Sequence, residues 1–239
     1  VFTQGLKELG RKRAYEFFKD RENEMITATV HRVLEDAYIL GIGLDYDAYM
    51  PKKEALPTEV LKEGDEVKVY VVKVEETGKG PKVFVSRTNV GIVKRLFESI
   101  VPEFKDGILL LHGVAREAGV RSKVCVASTN PNVDPIGSCI GEKGRRIANI
   151  INELGGEKVD LIAYSQDMEE FIANALSPAK NLNVSITDEK KKEALVIADD
   201  ENLSLAIGKK GINIKLASKL TKYTINIKTL RDINAEINK

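Results

Sequence analysis

Two octets in this sequence have the residue types and spacing to do chemistry. Ile140-Gly141-Glu142-Lys143-Gly144-Arg145-Arg146-Ile147 and Ile207-Gly208-Lys209-Lys210-Gly211-Ile212-Asn213-Ile214 start 67 residues apart and are identical at five of eight positions. Each holds a Gly-x-x-Gly turn between helical stretches. Glycine has no Cβ, so the chain turns tightly there and a phosphate can approach the backbone. The helix that follows offers unbonded amides and the positive end of its dipole. Basic residues add charge: Lys143, Arg145 and Arg146 in the first copy, Lys209 and Lys210 in the second. Glu142 opposes a phosphate, and Arg145 and Arg146 follow at once to offset it. One such turn occurs by chance in most chains. A helix–helix turn does not require the same lysine-bearing sequence twice in register.

The surroundings repeat as well. Each octet is followed by an apolar-periodic helix (Ile147, Ile150, Ile151, Leu154; Ile214, Leu216, Ala217, Leu220) and then by a strand, K-V-D-L-I-A-Y or Y-T-I-N-I-K. Two strand-like runs precede each octet, I-L-L-L-H-G-V with K-V-C-V-A and N-V-S-I-T with A-L-V-I-A. A unit of about 70 residues with two or three strands is a domain and not a solenoid turn. The boundary between copies is expected near 165–170. These features describe the KH clamp, in which a Gly-x-x-Gly loop holds about four nucleotides of single-stranded backbone. The flanking isoleucines are expected to anchor each loop in the core on both sides. From Asn202 to Leu230 there are six lysines and no acidic residue. Lys209, Lys210, Lys215, Lys219, Lys222 and Lys228 therefore form a basic island. The expected RNA-contact set is Gly141, Glu142, Lys143, Gly144, Arg145 and Arg146, then Gly208, Lys209, Lys210, Gly211, Asn213, Lys215 and Lys219, with Arg87 from the N-terminal half.

That half reads as strands over 25–87, M-I-T-A-T-V-H-R-V, A-Y-I-L-G-I-G-L, V-K-V-Y-V-V-K-V and K-V-F-V-S. Val67, Val69 and Val71 alternate with Lys68 and Tyr70, as in a half-buried strand. E-E-T-G-K-G-P is dense in turn residues and is expected to separate the last two strands. Short strands with glycine-rich connections and little helix predict a small closed barrel. I-V-K-R-L-F-E-S-I-V near residue 92 has helical spacing, stopped by Pro102 and Asp106-Gly107. The first residues predict an amphipathic helix with Phe2, Leu6, Leu9 and Phe17 near one face. The helix starts abruptly, without a Met or a capping residue, and is expected to have been cut from a larger protein.

Composition excludes other classes. The chain has 239 residues, 43% hydrophobic and 31% charged, so it can build cores and solvate its surface. With 37 Lys+Arg against 36 Asp+Glu, any basic surface is local. Cys125 and Cys139 are too few for a disulfide framework, lack zinc spacing and read as buried thiols of a cytoplasmic protein. No apolar run reaches 18 residues, so no membrane partner is expected. The only histidines, His31 and His112, fall in separate domains and neither pairs with a Ser or Cys motif. Asp199-Asp200-Glu201 reads as a helix start, where acidic residues complement the dipole. No catalytic group, cofactor or metal is expected.

The residues also resemble a known family, the NusA transcription elongation factors of bacteria. V-A-R-E-A-G-V-R-S-K-V-C-V (114–126), V-D-P-I-G-S-C-I-G-E-K-G-R-R-I (133–147) and E-L-G-G-E-K-V-D-L-I (153–162) carry the likeness most specifically. F-I-A-N-A-L-S-P-A (171–179) and A-I-G-K-K-G-I-N-I-K-L-A-S-K-L (206–220) continue it, and G-P-K-V-F-V-S-R-T (80–88) and L-F-E-S-I-V-P-E-F-K-D-G (96–107) extend it into the barrel. The resemblance implies an α+β multidomain chain. Residues 1–20 would end a polymerase-binding domain, 21–90 form an S1 barrel of the OB class, and 91–168 and 169–239 form two bacterial-type (type II) KH domains. It further implies a non-catalytic monomer that binds nascent single-stranded RNA and modulates pausing, termination and antitermination. Its partners would be RNA polymerase, through the mostly missing N-terminal domain, and other antitermination factors. The barrel's stacking candidates are Tyr38, Phe84 and His31, with Arg87 for a phosphate. RNA-binding proteins of ribosome assembly or translation, and accessory modules of exoribonucleases, use the same two domain types. The 114–162 segment favours the transcription family over them.

Overall fold

A computed structural model describes residues 2–237. Helix α1 (Phe2–Lys19) buries Ala14 and Phe18, four residues apart and so on one face. The face expected from the sequence points elsewhere. Leu6, Leu9 and Phe17 are exposed, and the Phe2 side chain lies outside the described residues. Phe17 and Phe18 are adjacent and cannot share a face. Phe18 enters the barrel core, while the Phe17 ring lies 3.4 Å from the Arg21 guanidinium.

Strands β1 (Met25–Val33), β2 (Ala37–Gly41), β3 (Asp47–Pro51), β4 (Glu66–Thr77) and β5 (Gly80–Ser86) close a barrel in the order β1-β2-β3-β5-β4. Strand β3 was not among those the sequence predicts. It is short, yet its parallel pairing of Ala48 with Val83 and Tyr49 with Phe84 closes the barrel. The E-E-T-G-K-G-P segment is mostly strand, because Thr77 pairs with Gly80 and only Gly78-Lys79 form the hairpin tip. The alternation in β4 places Val69 and Val71 inside. A bulge between Val71 and Lys73 then moves the inward position to Val74 and leaves Val72 exposed.

Helix α2 (Val90–Ile100) buries Ile92, Val93, Leu96 and Phe97, and a 3-10 turn at Pro102–Phe104 follows. The rest of the chain uses one topology twice. The first copy runs β6 (Leu109–Glu117), β7 (Arg121–Ser128), α3 (Pro135–Ile140), α4 (Arg145–Glu153) and β8 (Lys158–Ala163). After α5 (Met168–Ala175), the second runs β9 (Asn183–Asp188), β10 (Glu193–Ile197), α6 (Asp200–Ile207), α7 (Ile212–Thr221) and β11 (Thr224–Lys228), with α8 (Leu230–Ile237) last. In each copy two antiparallel strands are joined by a parallel third, reached through the helix pair. Asp134 and Asp199 cap α3 and α6, accepting from the amides of Ile136 and Asn202. The acidic triplet is therefore a helix start.

The chain divides into two compact units, residues 1–99 with 152–156 and residues 100–151 with 157–239. Both copies of the repeat lie in the second unit and share one core. Cys125 and Ile162 of the first copy pack in the same cluster as Phe171 and Ile172 of α5 and Val184, Val196 and Ala217 of the second. Burial pushes both thiols, Cys125 and Cys139, up to about 12. Lys123 is buried too. Its ammonium donates to Asp160 at 3.0 Å and to the Ser177 carbonyl at 2.8 Å, and desolvation pulls its pKa below the usual lysine value. Glu157 is wholly enclosed. It accepts from the Arg116 guanidinium at 2.8–3.2 Å, the Gly119 amide at 2.8 Å and the Ser122 hydroxyl at 2.5 Å. Among the described residues no helix is long and apolar enough to cross a membrane.

Candidate nucleic-acid interface

The two Gly-x-x-Gly turns have nearly the same backbone. In the first, φ is 74° at Gly141, 51° at Lys143 and 72° at Gly144; in the second it is 75° at Gly208, 54° at Lys210 and 70° at Gly211. In each, the second glycine's amide donates to the first glycine's carbonyl at 3.1 Å. A lysine at positive φ costs roughly 1 kcal/mol, so both loops hold their central lysine in a strained, defined direction.

The two glycines of a loop do different work. A Cβ on Gly141 would lie 2.6 Å from Cγ of Arg146, and one on Gly208 would lie 2.6 Å from Cβ of Asn213. The first glycine is thus a packing residue, covered by the side chain five positions on. A Cβ on Gly144 or Gly211 would meet nothing within 4 Å. That open side is where a ligand backbone can come close. Gly211 caps α7 without a side-chain hydrogen bond, and the Ile212 amide donates to the Lys209 carbonyl, closing the turn.

Glu142, Lys143, Arg145, Lys209, Lys210 and Lys219 are exposed. Arg146 is held back: its guanidinium donates to Glu103 at 2.9 and 3.0 Å and to the Ser138 carbonyl at 2.8 Å. Lys215 is exposed, with its ammonium 3.0 Å from Glu117. Two expected contact residues are buried instead. Asn213 is 0% exposed, and its amide nitrogen donates to the carbonyls of Leu176, Leu205 and Ala206, tying the loop to α5 and α6. Arg87 is 5% exposed and binds Glu59 at 2.9 Å, the Lys68 carbonyl and the Glu153 carbonyl at 3.0 Å. Glu59 supplies the countercharge expected of an RNA phosphate.

The isoleucine anchors need a similar correction. Cys139 and Ala206 are buried, whereas the next residues, Ile140 and Ile207, are 38% and 37% exposed. They present apolar surface at the entrance of each loop, suited to an unstacked base. The repeat carries that signal, because the same side chain is exposed at the same place twice.

On the barrel, Tyr38 is a core residue, and His31 is exposed with its ring nitrogen 2.9 Å from Asp47. Phe84 is half-buried on the outer face, edge-to-face with Tyr49 at 6.1 Å, and Lys82 lies 5.0 Å from its ring centre. Tyr49 was missed along with its strand. His112 stacks on Tyr164 at 3.9 Å. Among the described residues no cluster of His, Cys, Asp and Glu could hold a metal ion.

Arg87→Ala is therefore expected to destabilise the barrel by about 3–5 kcal/mol, the usual result of leaving a buried charge unpaired. RNA affinity of the folded fraction should be nearly unchanged. Urea unfolding followed by a binding titration would check this; a stable variant with weak binding would return Arg87 to the RNA surface.

Residues 19–86 match the S1 RNA binding domain family, 87–164 the NusA-like first KH domain and 168–235 the NusA-like second KH domain. The chain is 49% identical over 232 residues to the transcription termination/antitermination protein NusA of Bacillus subtilis (strain 168), covering 97% of this chain and 62% of that protein. It is 46% identical over 229 residues to the same-named protein of Thermus thermophilus, covering 95% and 58%. To that of Mycobacterium tuberculosis (strain H37Rv) it is 38% identical over 235 residues, covering 95% and 68%. The chain spans about three fifths of the length of the first two.

Proposed function

Because this chain belongs to the NusA family of transcription termination/antitermination proteins, we propose that it binds single-stranded nascent RNA through its two Gly-x-x-Gly loops. We place it with RNA polymerase, in the control of pausing, termination and antitermination. The supporting observation is one loop built twice, each with a second glycine that faces open space and a strained lysine beside it. The proposed contact set is Glu142, Lys143, Gly144 and Arg145 in the first loop and Lys209, Lys210 and Gly211 in the second, with Lys219 beyond it. Arg146, Gly141, Gly208 and Asn213 shape the loops. The outer face with Phe84 and Tyr49 is the barrel's proposed share. No step of this reading requires catalysis.

Two clamps of about four nucleotides each give a site of about eight or more. An unpaired oligonucleotide of that length should bind more tightly than a duplex of the same composition, because a duplex hides the bases. Binding should weaken steadily with salt as phosphate contacts release counterions. Equal affinity for the stem and the strand, measured by fluorescence anisotropy, would remove the clamp reading. Co-purification tests the setting: RNA polymerase is expected, and ribosomal subunits in its place would move the protein to translation.

A further inference from the structure

We propose a second RNA-contact surface, a lysine-rimmed cleft along α7 and the β9–β10 turn that takes the phosphodiester backbone of a strand running on from the second loop. It rests on the reading that the loops hold RNA. Helix α7 carries Lys215 and Lys219 four residues apart, on one stripe, and Lys222 at its left-handed C-cap lines the same cleft. The β9–β10 turn brings Lys191 and Lys192 to the same cleft. That turn is tethered, since the Thr224 amide donates to the Lys192 carbonyl at 2.8 Å. Ile214 and Tyr223 form an apolar floor between the two basic segments.

No acidic side chain lines the cleft. Glu117 reaches Lys215 at 3.0 Å and Asp188 reaches Lys191 at only 3.8 Å. Among the described residues no ion pair involves Lys192, Lys219 or Lys222. Elsewhere this nearly neutral chain matches lysines with carboxylates, as at Lys68–Glu153, Lys73–Glu75 and Lys228–Glu236. Clustered like charges repel one another, so an unmatched cluster fits a polyanion. The cleft is also continuous with the loop. Lys215 lies one helical turn beyond Gly211, Lys219 follows about 6 Å further along the helix, and Lys222 stands at its end. A strand held at Gly211 therefore has its next phosphates in reach of this stripe. The apolar floor suits bases, while the lysines suit the backbone.

The test uses the whole chain at about 0.15 M salt, where distant charges are screened. An RNA of about eight nucleotides, enough for two clamps, is compared with the same RNA extended by about six at the 5′ or the 3′ end. One extension should raise affinity by about fivefold or more. Lys191→Glu/Lys192→Glu/Lys222→Glu should abolish that gain and leave affinity for the short RNA within about twofold. A charge-matched control, Lys7→Glu/Lys12→Glu/Lys79→Glu, reverses exposed lysines of the other unit and should keep the gain. No gain from either extension overturns the proposal. So does a cleft variant that loses the short RNA equally with its circular dichroism unchanged, since its lysines would then belong to the clamp. If the unaltered chain fails to bind the short RNA, the clamp reading itself falls. If the cleft variant binds every RNA normally but loses an acidic protein on pull-down, the surface is a protein contact.

Discussion

Lys209→Asp/Lys210→Asp will weaken single-strand RNA binding by about 2–3 kcal/mol, roughly 30- to 150-fold. Each lysine loses up to about 1 kcal/mol of phosphate contact, and each new carboxylate adds repulsion of similar size. The salt dependence should flatten by about 1.4 units of slope, at roughly 0.7 for each single-strand phosphate released. The fold should survive, because both side chains are exposed and Asp tolerates the left-handed backbone found at Lys210. The glycines give a finer test. Gly211→Asp meets no neighbour and adds only about 1 kcal/mol of strain at φ 70°, which Asp tolerates better than most residues, so it should damage binding more than stability. Gly208→Ala strikes Asn213 and should do the reverse. An unchanged dissociation constant for the double charge reversal, with circular dichroism also unchanged, would exclude the second loop from the site.

Glu157→Ala will cost the unit that carries both loops about 3–5 kcal/mol of stability. The carboxylate is the meeting point of the Arg116 guanidinium, the Gly119 amide and the Ser122 hydroxyl, and all three lose their acceptor together. Arg116 is left as a buried charge with its main partner gone. At about 2–4 °C per kcal/mol for a unit of this size, Tm should fall by roughly 6–20 °C. Arg116→Met/Glu157→Leu should recover much of this loss, because an apolar pair of similar volume leaves no uncompensated charge. Thermal unfolding of the two variants decides the matter. A single variant within about 1 kcal/mol of the parent would mean that water or another group takes over the role of Glu157.

Much of the loop's fold is legible because the repeat supplies its own control. Features shared at a fixed offset, the tight Gly-x-x-Gly turns, the lysine at positive φ and the flanking strands, recur in both copies. What failed were residues whose surroundings come from distant sequence. Arg87 at a strand end reads as a surface cation, and only Glu59, folded against it from another segment, shows otherwise. Asn213 occupies the register of Arg146, and both suggest RNA contacts in the sequence alone. The structure gives that position a packing role, since each side chain lies against the glycine five residues earlier. Strand β3 was missed because only Ala48 and Met50 alternate inward before Pro51 ends it. The direction of α1 was unreadable, since Phe17 and Phe18 compete for the core and the barrel decides between them. The cleft on α7 was half visible. Its helical lysines form a run, but Lys191 and Lys192 join them only through strand pairing.

The core shared by Cys125, Ile162, α5 and the second sheet has a consequence for affinity. Two sites on a slack tether meet their ligand at an effective concentration set by the tether, and tolerate many spacings. Two sites fixed to one packed core act as a chelate with a single bite. Once the first loop closes on a strand, the second needs no search, and its binding adds with little further loss of freedom. The same rigidity discriminates. An RNA whose two contact segments are separated by too short a spacer cannot reach both loops, and an over-long one must order extra chain to do so. If the loops hold RNA as proposed, affinity plotted against spacer length should show a narrow maximum, and the pair would gauge the length of the strand it binds.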